Sequence, residues 1–147
     1  MGNRRHVILV AILGLGVALA ITWYVDDQRR AAALNDMVAE VMSAPDGSSI
    51  DLAKALPLDW DRAVVLPPYT YGEDANRSLG FDKFAEGESL TSGDGTYLVV
   101  FIRDRSVVAE LALYGQSFYF DENVEAFDAE SSTFDVIRDR GEVVLVR

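Results

Sequence analysis

Apolar residues near the N-terminus form one uninterrupted run, Val7 to Val25, that contains no charged side chain. At about 1.5 Å per residue, these 19 positions make a helix of roughly 28 Å, close to the roughly 30 Å hydrocarbon core of a bilayer. Arg4 and Arg5 precede the run, and Trp23 and Tyr24 lie near its far end. Positive charge before a span favours a cytoplasmic N-terminus, and aromatic rings suit the opposite interface. The pattern therefore predicts an N-terminal transmembrane helix, a signal anchor, with the rest of the chain outside the cytoplasm.

The same run fits a second interpretation, a cleaved signal peptide. Ala18-Leu19-Ala20 has the small-x-small form of a signal peptidase site. Cleavage after Ala20 would give a secreted soluble domain. If the helix is retained, the four-residue spacing of Gly14 and Ala18, and of Gly16 and Ala20, favours a weak homodimer. Small residues are also simply common in membrane helices, so both explanations of the spacing stay open.

Helical periodicity follows the run. The apolar positions Leu34, Met37, Val38, Val41 and Met42 recur at three- and four-residue spacing. They predict an amphipathic helix or stalk over residues 26–45 whose apolar stripe packs on the outer domain.

A short second helix is predicted in "SSIDLAKALP". Ser48 or Ser49 is the candidate N-cap, and Pro57 ends the helix.

The stretch "DWDRAVVLPPYTYGEDANRSLGF", residues 59–81, is the most unusual part of the chain. Its apolar centre predicts a strand, which Pro67 and Pro68 end because proline cannot donate to a ladder. Thr70 and Glu73 have the spacing of a capping box at the start of a third helix. Gly80 stands where a glycine would stop that helix.

The C-terminal half is dominated by strand patterns. "TYLVVFIRD" is a nearly continuous apolar run and predicts a central strand, joined by a two-residue turn at Asp104-Arg105 to "SVVAELALYG". "SFYF" predicts a third strand and leads into an acidic loop, 121–132. "TFDVIRD" and "EVVLV" predict a second hairpin.

These elements together predict an α+β protein: a transmembrane helix, then helices packed on an antiparallel sheet of about four to six strands. The predicted divisions are a cytoplasmic stub with the anchor (1–25), the amphipathic helix (26–45) and an extracytoplasmic domain (46–147).

The net charge of this domain limits the classes of partner that it can bind. The chain has 24 Asp and Glu, all after the apolar run, against 13 Lys and Arg, of which Arg4 and Arg5 precede it. The outer part therefore carries a balance of −13, which excludes nucleic acid and anionic membrane surfaces as favoured partners. The membrane contact is confined to residues 7–25. With no cysteine, the domain has no disulfide framework.

Candidate catalytic groups are few. His6, the only histidine, precedes the membrane run, so histidine-based triads and zinc sites are excluded from the outer domain. Asp59 and Asp61 flank Trp60, and a carboxyl group beside an indole can act as a general acid. This arrangement makes a carboxylate-dependent envelope hydrolase the alternative to a binding module.

The sequence contains no recognisable metal-binding or cofactor-binding motif. The loop 121–132 offers carboxylate oxygens but lacks the residue order and glycine of an EF-hand, so we expect a solvated acidic loop and no metal site. No cofactor is expected either. An exposed aromatic patch for a partner is the alternative to a core position, which is expected for Tyr69, Tyr71, Tyr114, Phe118, Tyr119 and Phe120. Candidate binding residues are Trp60, Tyr69, Tyr71 and Glu73.

"WDRAVVLPPYT", followed by "LGF" and "LVVFIRDRSVV", resembles small uncharacterised bacterial envelope domains, membrane-anchored or lipoprotein-like, with a W-D…P-Y-T signature. The similarity covers residues 56–108. It implies an extracytoplasmic α+β domain and transfers no catalytic or binding residues. This chain lacks the lipobox cysteine, and it has Asp104-Arg105 where Asp-Gly is commoner in the turn.

Together, these observations lead us to expect a membrane-anchored, outward-facing module of the cell envelope that binds a protein partner and is not an enzyme.

Overall fold

A computed structural model describes residues 26–91, 93, 95–114 and 118–147. The chain divides into two compact units, Met1–Ala32 and Ala33–Arg147. The predicted anchor, 7–25, lies outside the described residues. Within the described part of the chain, no helix is both long enough and apolar enough to cross a membrane.

Residues 26–43 are helical and form α1. In the second unit, the predicted apolar stripe of this helix is confirmed, because Met37 and Val41 are fully buried in the core. Leu34, Val38 and Met42 pack against the same cluster. The helix from residue 33 onward therefore belongs to the folded domain.

The domain is α+β, as predicted, but the eight strands of its described residues form two four-stranded sheets instead of one. In chain order, the elements after α1 are β1 (Ser49–Asp51), α2 (Leu52–Ala55), β2 (Arg62–Leu66), α3 (Gly72–Leu79), β3 (Tyr97–Arg103), β4 (Ser106–Leu113), β5 (Phe118–Phe120), β6 (Ala126–Asp128), a 3₁₀ turn (Ala129–Ser131), β7 (Thr133–Asp139) and β8 (Glu142–Val146).

Sheet B has the order β4-β3-β2-β6 and is antiparallel throughout. Its inner strand β3 is apolar at nearly every position because both of its faces are buried. Val99 and Phe101 belong to one core cluster, whereas Leu98, Val100 and Ile102 belong to a second cluster. The prediction of a central strand is confirmed.

Sheet A has the order β1-β7-β8-β5. The predicted hairpin of β7 and β8 is confirmed, and the alternation of β7 reflects one buried face, with Phe134 and Val136 inside. The "SFYF" strand, β5, pairs with β8 in parallel and not with its neighbour in sequence, β4. This parallel pair is the one exception among the sheet pairings of the described residues to the predicted antiparallel arrangement.

The helices and the two sheets pack in layers that enclose two separate clusters of buried apolar residues. The larger cluster contains residues of both sheets, α1 and α2, and Trp60 packs edge-on against Phe101 and Phe127 within it. The smaller cluster is covered by Ala75 and Leu79 of α3, together with Phe81, Phe84 and Leu90. Sheet B is thus the middle layer of the domain.

Two predicted helix caps are wrong. Helix α2 is capped by Asp51, whose Oδ1 accepts from the backbone N–H of Ala53 at 3.1 Å, while Ser49 lies in β1. Helix α3 begins after Tyr71, which makes no side-chain cap bond. The C-terminal stop is confirmed, since Gly80 has φ 81° and its N–H donates to Asn76.

The segment 121–132 is also more structured than the predicted acidic loop. It contains β6, which pairs with β2, and the 3₁₀ turn that leads into β7. The alternation of apolar and polar residues in β6 cannot be recognised in the sequence, because this strand has only three residues.

Candidate functional site

Two exposed tyrosines stand on the turn between β2 and α3, residues 67–71, which we call the tyrosine turn. The exposed fractions are 60% for Tyr69 and 47% for Tyr71. The intervening Thr70 is buried, at 6%. Both rings therefore lie at the surface, as in the alternative of an exposed aromatic patch, and the expectation of a core position is wrong for both.

Threonine hydroxyls hold the tyrosine turn in place. Thr70 and Thr91 both donate their hydroxyls to the carbonyl oxygen of Pro67, at 2.7 and 2.9 Å. The Thr91 hydroxyl also accepts from the backbone N–H of Thr70 at 2.8 Å. Because these bonds are buried or half-buried, the turn is fixed to the segment before β3 at two points.

The backbone of Tyr69 is left-handed, with φ 62°. Non-glycine residues adopt this region at an energetic cost, and they persist there where the surroundings fix the chain. The N–H of Tyr69 donates to the carbonyl of Thr91 at 3.1 Å, which is one such restraint. The ring is thus projected outward by the turn and not by a regular strand.

A strap, residues 81–91, runs beside α3 and supports the same surface. Asn76 is its main attachment, since its Oδ1 accepts from the backbone N–H groups of Lys83 and Phe84 at 2.9 and 3.0 Å, and its Nδ2 donates to the carbonyl of Phe84. At Gly72 the strap passes so close that an added Cβ would lie 2.1 Å from the carbonyl oxygen of Ala85. Only glycine fits there without a shift of the backbone.

Glu73 ties the strap to the first turn of α3. Its Oε2 accepts from the backbone N–H of Gly87 at 2.9 Å, and this bond lowers the pKa of the carboxyl group below its ordinary value of 4.5. The capping-box role predicted for Glu73 is therefore wrong, and so is the paired role of Thr70. Each side chain bonds to another part of the chain instead.

An open cleft of about 480 Å³ lies between α3, the residues after it and the β3–β4 turn. Its lining carries both signs of charge: Glu73, Asn76, Arg77, Gly80, Phe81, Asp82 and Arg105. Glu73 therefore both lines the cleft and bonds to the strap.

Trp60, the remaining predicted binding residue, is 5% exposed and lies in the larger core. Its indole N–H donates to the carbonyl of Leu56. The structure brings Tyr69, Tyr71 and Glu73 to one end of α3 and places Trp60 inside the domain.

The two carboxylates beside Trp60 have structural partners. Asp59 forms an ion pair with Arg103 at 3.1 Å, and the Oδ2 of Asp61 accepts from the backbone N–H of Asp104 at 3.0 Å. Asp104 has φ 54°, so Asp61 braces the strained residue of the β3–β4 turn. Both carboxylates are thus directed at this hairpin.

The Asp and Glu side chains of residues 26–91, 93, 95–114 and 118–147 do not cluster as metal ligands do. Within these ranges, no three His, Cys, Asp or Glu side chains are grouped to hold an ion. In the acidic segment, the Oδ1 of Asp121 accepts from the backbone and side-chain nitrogens of Asn123, which forms a local turn.

Thr91 and Asn76 were not identified from the sequence. Thr91 lies 21 residues from the threonine it supports, and Asn76 bonds to residues seven and eight positions further along the chain. No local pattern reveals either role, because the partners of both residues are brought to them by the fold.

Comparison with known proteins adds no relative: no family model, curated protein or solved structure matches the chain.

Proposed function

We propose that this protein is a non-enzymatic interaction module of the cell envelope, anchored by residues 7–25, that uses the tyrosine turn to contact a protein partner. The observation that supports the binding role is the presentation of Tyr69 and Tyr71 on a turn fixed by buried hydrogen bonds. Tyrosine supplies a large amphipathic contact area with little side-chain freedom to lose. A pre-ordered turn lowers the entropic cost of association further.

The outward orientation rests on the pattern of charges and aromatic residues around the anchor. The acidic balance of the domain favours a partner with a basic contact surface. The resemblance to envelope domains with the W-D…P-Y-T signature is consistent with this location. Trp60, Asp61 and Thr70 of that signature have roles in the core and in turns, whereas its tyrosine, Tyr69, is exposed on the tyrosine turn.

A double variant tests the binding role without disturbing the backbone. Asparagine tolerates the left-handed conformation at position 69, and serine is a favoured N-cap at position 71. We expect Tyr69→Asn/Tyr71→Ser to keep the thermal stability of the full chain but to lose the partner recovered by crosslinked pull-down from intact membranes. Ile137→Ser, which removes another exposed apolar side chain at 45% exposure, is the control and should retain the partner.

The binding role is contradicted if the double variant and Ile137→Ser recover the partner equally well. It is also contradicted if no partner is found and the purified chain hydrolyses envelope peptide, ester or glycan substrates in a manner that depends on Asp59 or Asp61.

The topology is tested separately, because the chain has no cysteine of its own. We expect a membrane-impermeant maleimide to label Glu86→Cys in intact spheroplasts and to label Asn3→Cys only after lysis. Labelling of Asn3→Cys in intact spheroplasts would contradict the proposed orientation. A mature protein that lacks the Asn3→Cys label after lysis would show cleavage of the signal segment.

A further inference from the structure

The two sheets have four outer edges, and these differ in length. Strands β1, β5 and β6 have three residues each, whereas β4 has eight. Very short edge strands are one of the ways in which proteins prevent unwanted pairing. The edge formed by β4 does not have this protection.

The outer side of β4 has no backbone partner among the described residues. Its ladder bonds run to β3, and no other described backbone group hydrogen-bonds to residues 106–113. A bulge at Phe101/Ile102 interrupts the register near the turn, so the regular part of the edge is Ala109–Leu113. Five consecutive residues thus offer a regular row of donors and acceptors.

The side chains of this edge carry little to repel an added strand. The strand, "SVVAELAL", contains no proline and no lysine, the residues that usually blunt an edge. Glu110, which is exposed, is its single charged residue. Leu111 and Ala112 are half-buried on opposite faces, and Tyr114 follows the strand with 64% exposure.

The negative charge of the domain and of Glu110 determines which kind of strand can pair favourably with the edge of β4. A second copy of this chain would bring two domains of the same strong negative charge together, and pairing centred on Glu110 would set two carboxylates opposite each other. A strand with a basic residue opposite Glu110 gains a favourable cross-strand pair and is attracted by the domain as a whole.

We propose that the free edge of β4, Ala109–Leu113, is a second interaction surface that accepts an extended, basic peptide segment by strand addition to sheet B. Backbone hydrogen bonds supply the attachment, and Glu110 selects the charge of the partner. This surface is independent of the tyrosine turn, so either one can fail in experiment without the other.

The test uses the full chain in neutral detergent and a capped peptide of alternating Lys and Val as the probe. Its controls are the same peptide with Glu in place of Lys and a version N-methylated at alternate residues, which cannot complete the ladder. Binding is followed by fluorescence anisotropy, and hydrogen exchange locates the protected amides.

We expect the Lys peptide to bind at least about tenfold more tightly than either control peptide, because the controls lose the charge pairing or the backbone bonds. Amides of residues 109–113 should gain protection. Glu110→Lys should weaken binding about fivefold, whereas Glu142→Lys, an equal change of net charge on β8, should weaken it by about twofold or less.

Four results would overturn the proposal. The first is protection that appears elsewhere on the domain, the second is equal binding of the N-methylated peptide, and the third is equal effects of the two charge reversals. The fourth is protection of residues 109–113 that rises with protein concentration in the absence of peptide, since this would assign the edge to a second copy. Tyr69→Asn/Tyr71→Ser should leave peptide binding unchanged.

Discussion

At the scale of single residues, two side chains that have the spacing of helix caps in the sequence bond to other groups instead. Thr70 and Glu73 have capping-box spacing, yet the first bonds to Pro67 and the second to Gly87. Sequence spacing shows which bonds are sterically available along one segment. It does not show that the strap, which follows α3 in the chain, provides another partner for Glu73.

Thr91 should matter more to stability than Thr70. Thr91→Val leaves the buried N–H of Thr70 without an acceptor, which costs about 1–3 kcal/mol of unfolding free energy. Thr70→Val should cost less, because Thr91 still donates to Pro67. Urea denaturation measures both.

Thr133→Val, an exposed position on β7, is the matched control and should change stability by less than about 0.5 kcal/mol. Equal losses for Thr91→Val and Thr133→Val would show that the buried hydrogen bonds do not fix the tyrosine turn.

At the scale of elements, α1 and α3 are each joined to another part of the chain by side-chain hydrogen bonds. Asn76 and Glu73 attach the strap to α3. Arg138 of β7 donates to the carbonyl oxygens of Met42 and Ala44, at the C-terminal end of α1. The existence of α1 and α3 could be predicted from periodicity, but these attachments could not, because their partners are far apart in the chain.

The attachment made by Glu73 should depend on pH. Its pKa is lowered in the folded protein, so its stabilising effect is present above the ordinary value of 4.5 and is lost as pH falls through the folded pKa. We expect Glu73→Gln to lower the melting temperature at pH 7 and to match the wild type at strongly acidic pH.

Glu86→Gln, in the same strap and exposed, is the control for this titration and should follow the wild-type profile. A Glu73→Gln deficit that is constant from neutral to acidic pH would show that the charge of Glu73 is not what stabilises the strap.

Arg138 holds the C-terminal end of α1 by its hydrogen bonds to Met42 and Ala44, which we call the clamp, and its contribution to stability should be measurable. Arg138→Ala removes a cation and its hydrogen bonds from a helix C-terminus, at a cost of about 1–2 kcal/mol. Arg105→Ala, an exposed arginine in the β3–β4 turn, should cost about 0–0.5 kcal/mol. Unfolding free energies of the two variants that agree within error would contradict the clamp.

At the scale of the whole molecule, the fold class and six of the eight strands could be predicted, but not their division into two sheets. Strands β1 and β6 have three residues each, too few to show a period. Their partners β7 and β2 lie far away in the sequence, and local patterns do not record such pairings. Tyr69 and Tyr71 could be named as candidate binding residues, whereas their exposure and the threonine that supports their turn could not be predicted.

The acidic balance of the whole domain leads to a prediction about salt. Because like charges repel within a compact structure, we expect the melting temperature of the full chain to rise by roughly 2–5 °C between about 10 and 150 mM NaCl. The rise should shrink in Glu130→Lys/Glu142→Lys, which lowers the net negative charge. A wild-type melting temperature that does not change with salt would show that repulsion between the acidic side chains does not destabilise the folded domain.

The pairing of β1 with β7 constrains when the domain can complete its fold. β1 lies near the start of the domain, and its register joins Ile50 to Phe134. β7 and β8 follow every other strand in the chain, and β5 finds its partner only in β8. During synthesis, sheet A therefore cannot assemble until β8 has emerged, so the larger core stays open until late in the translation of the domain.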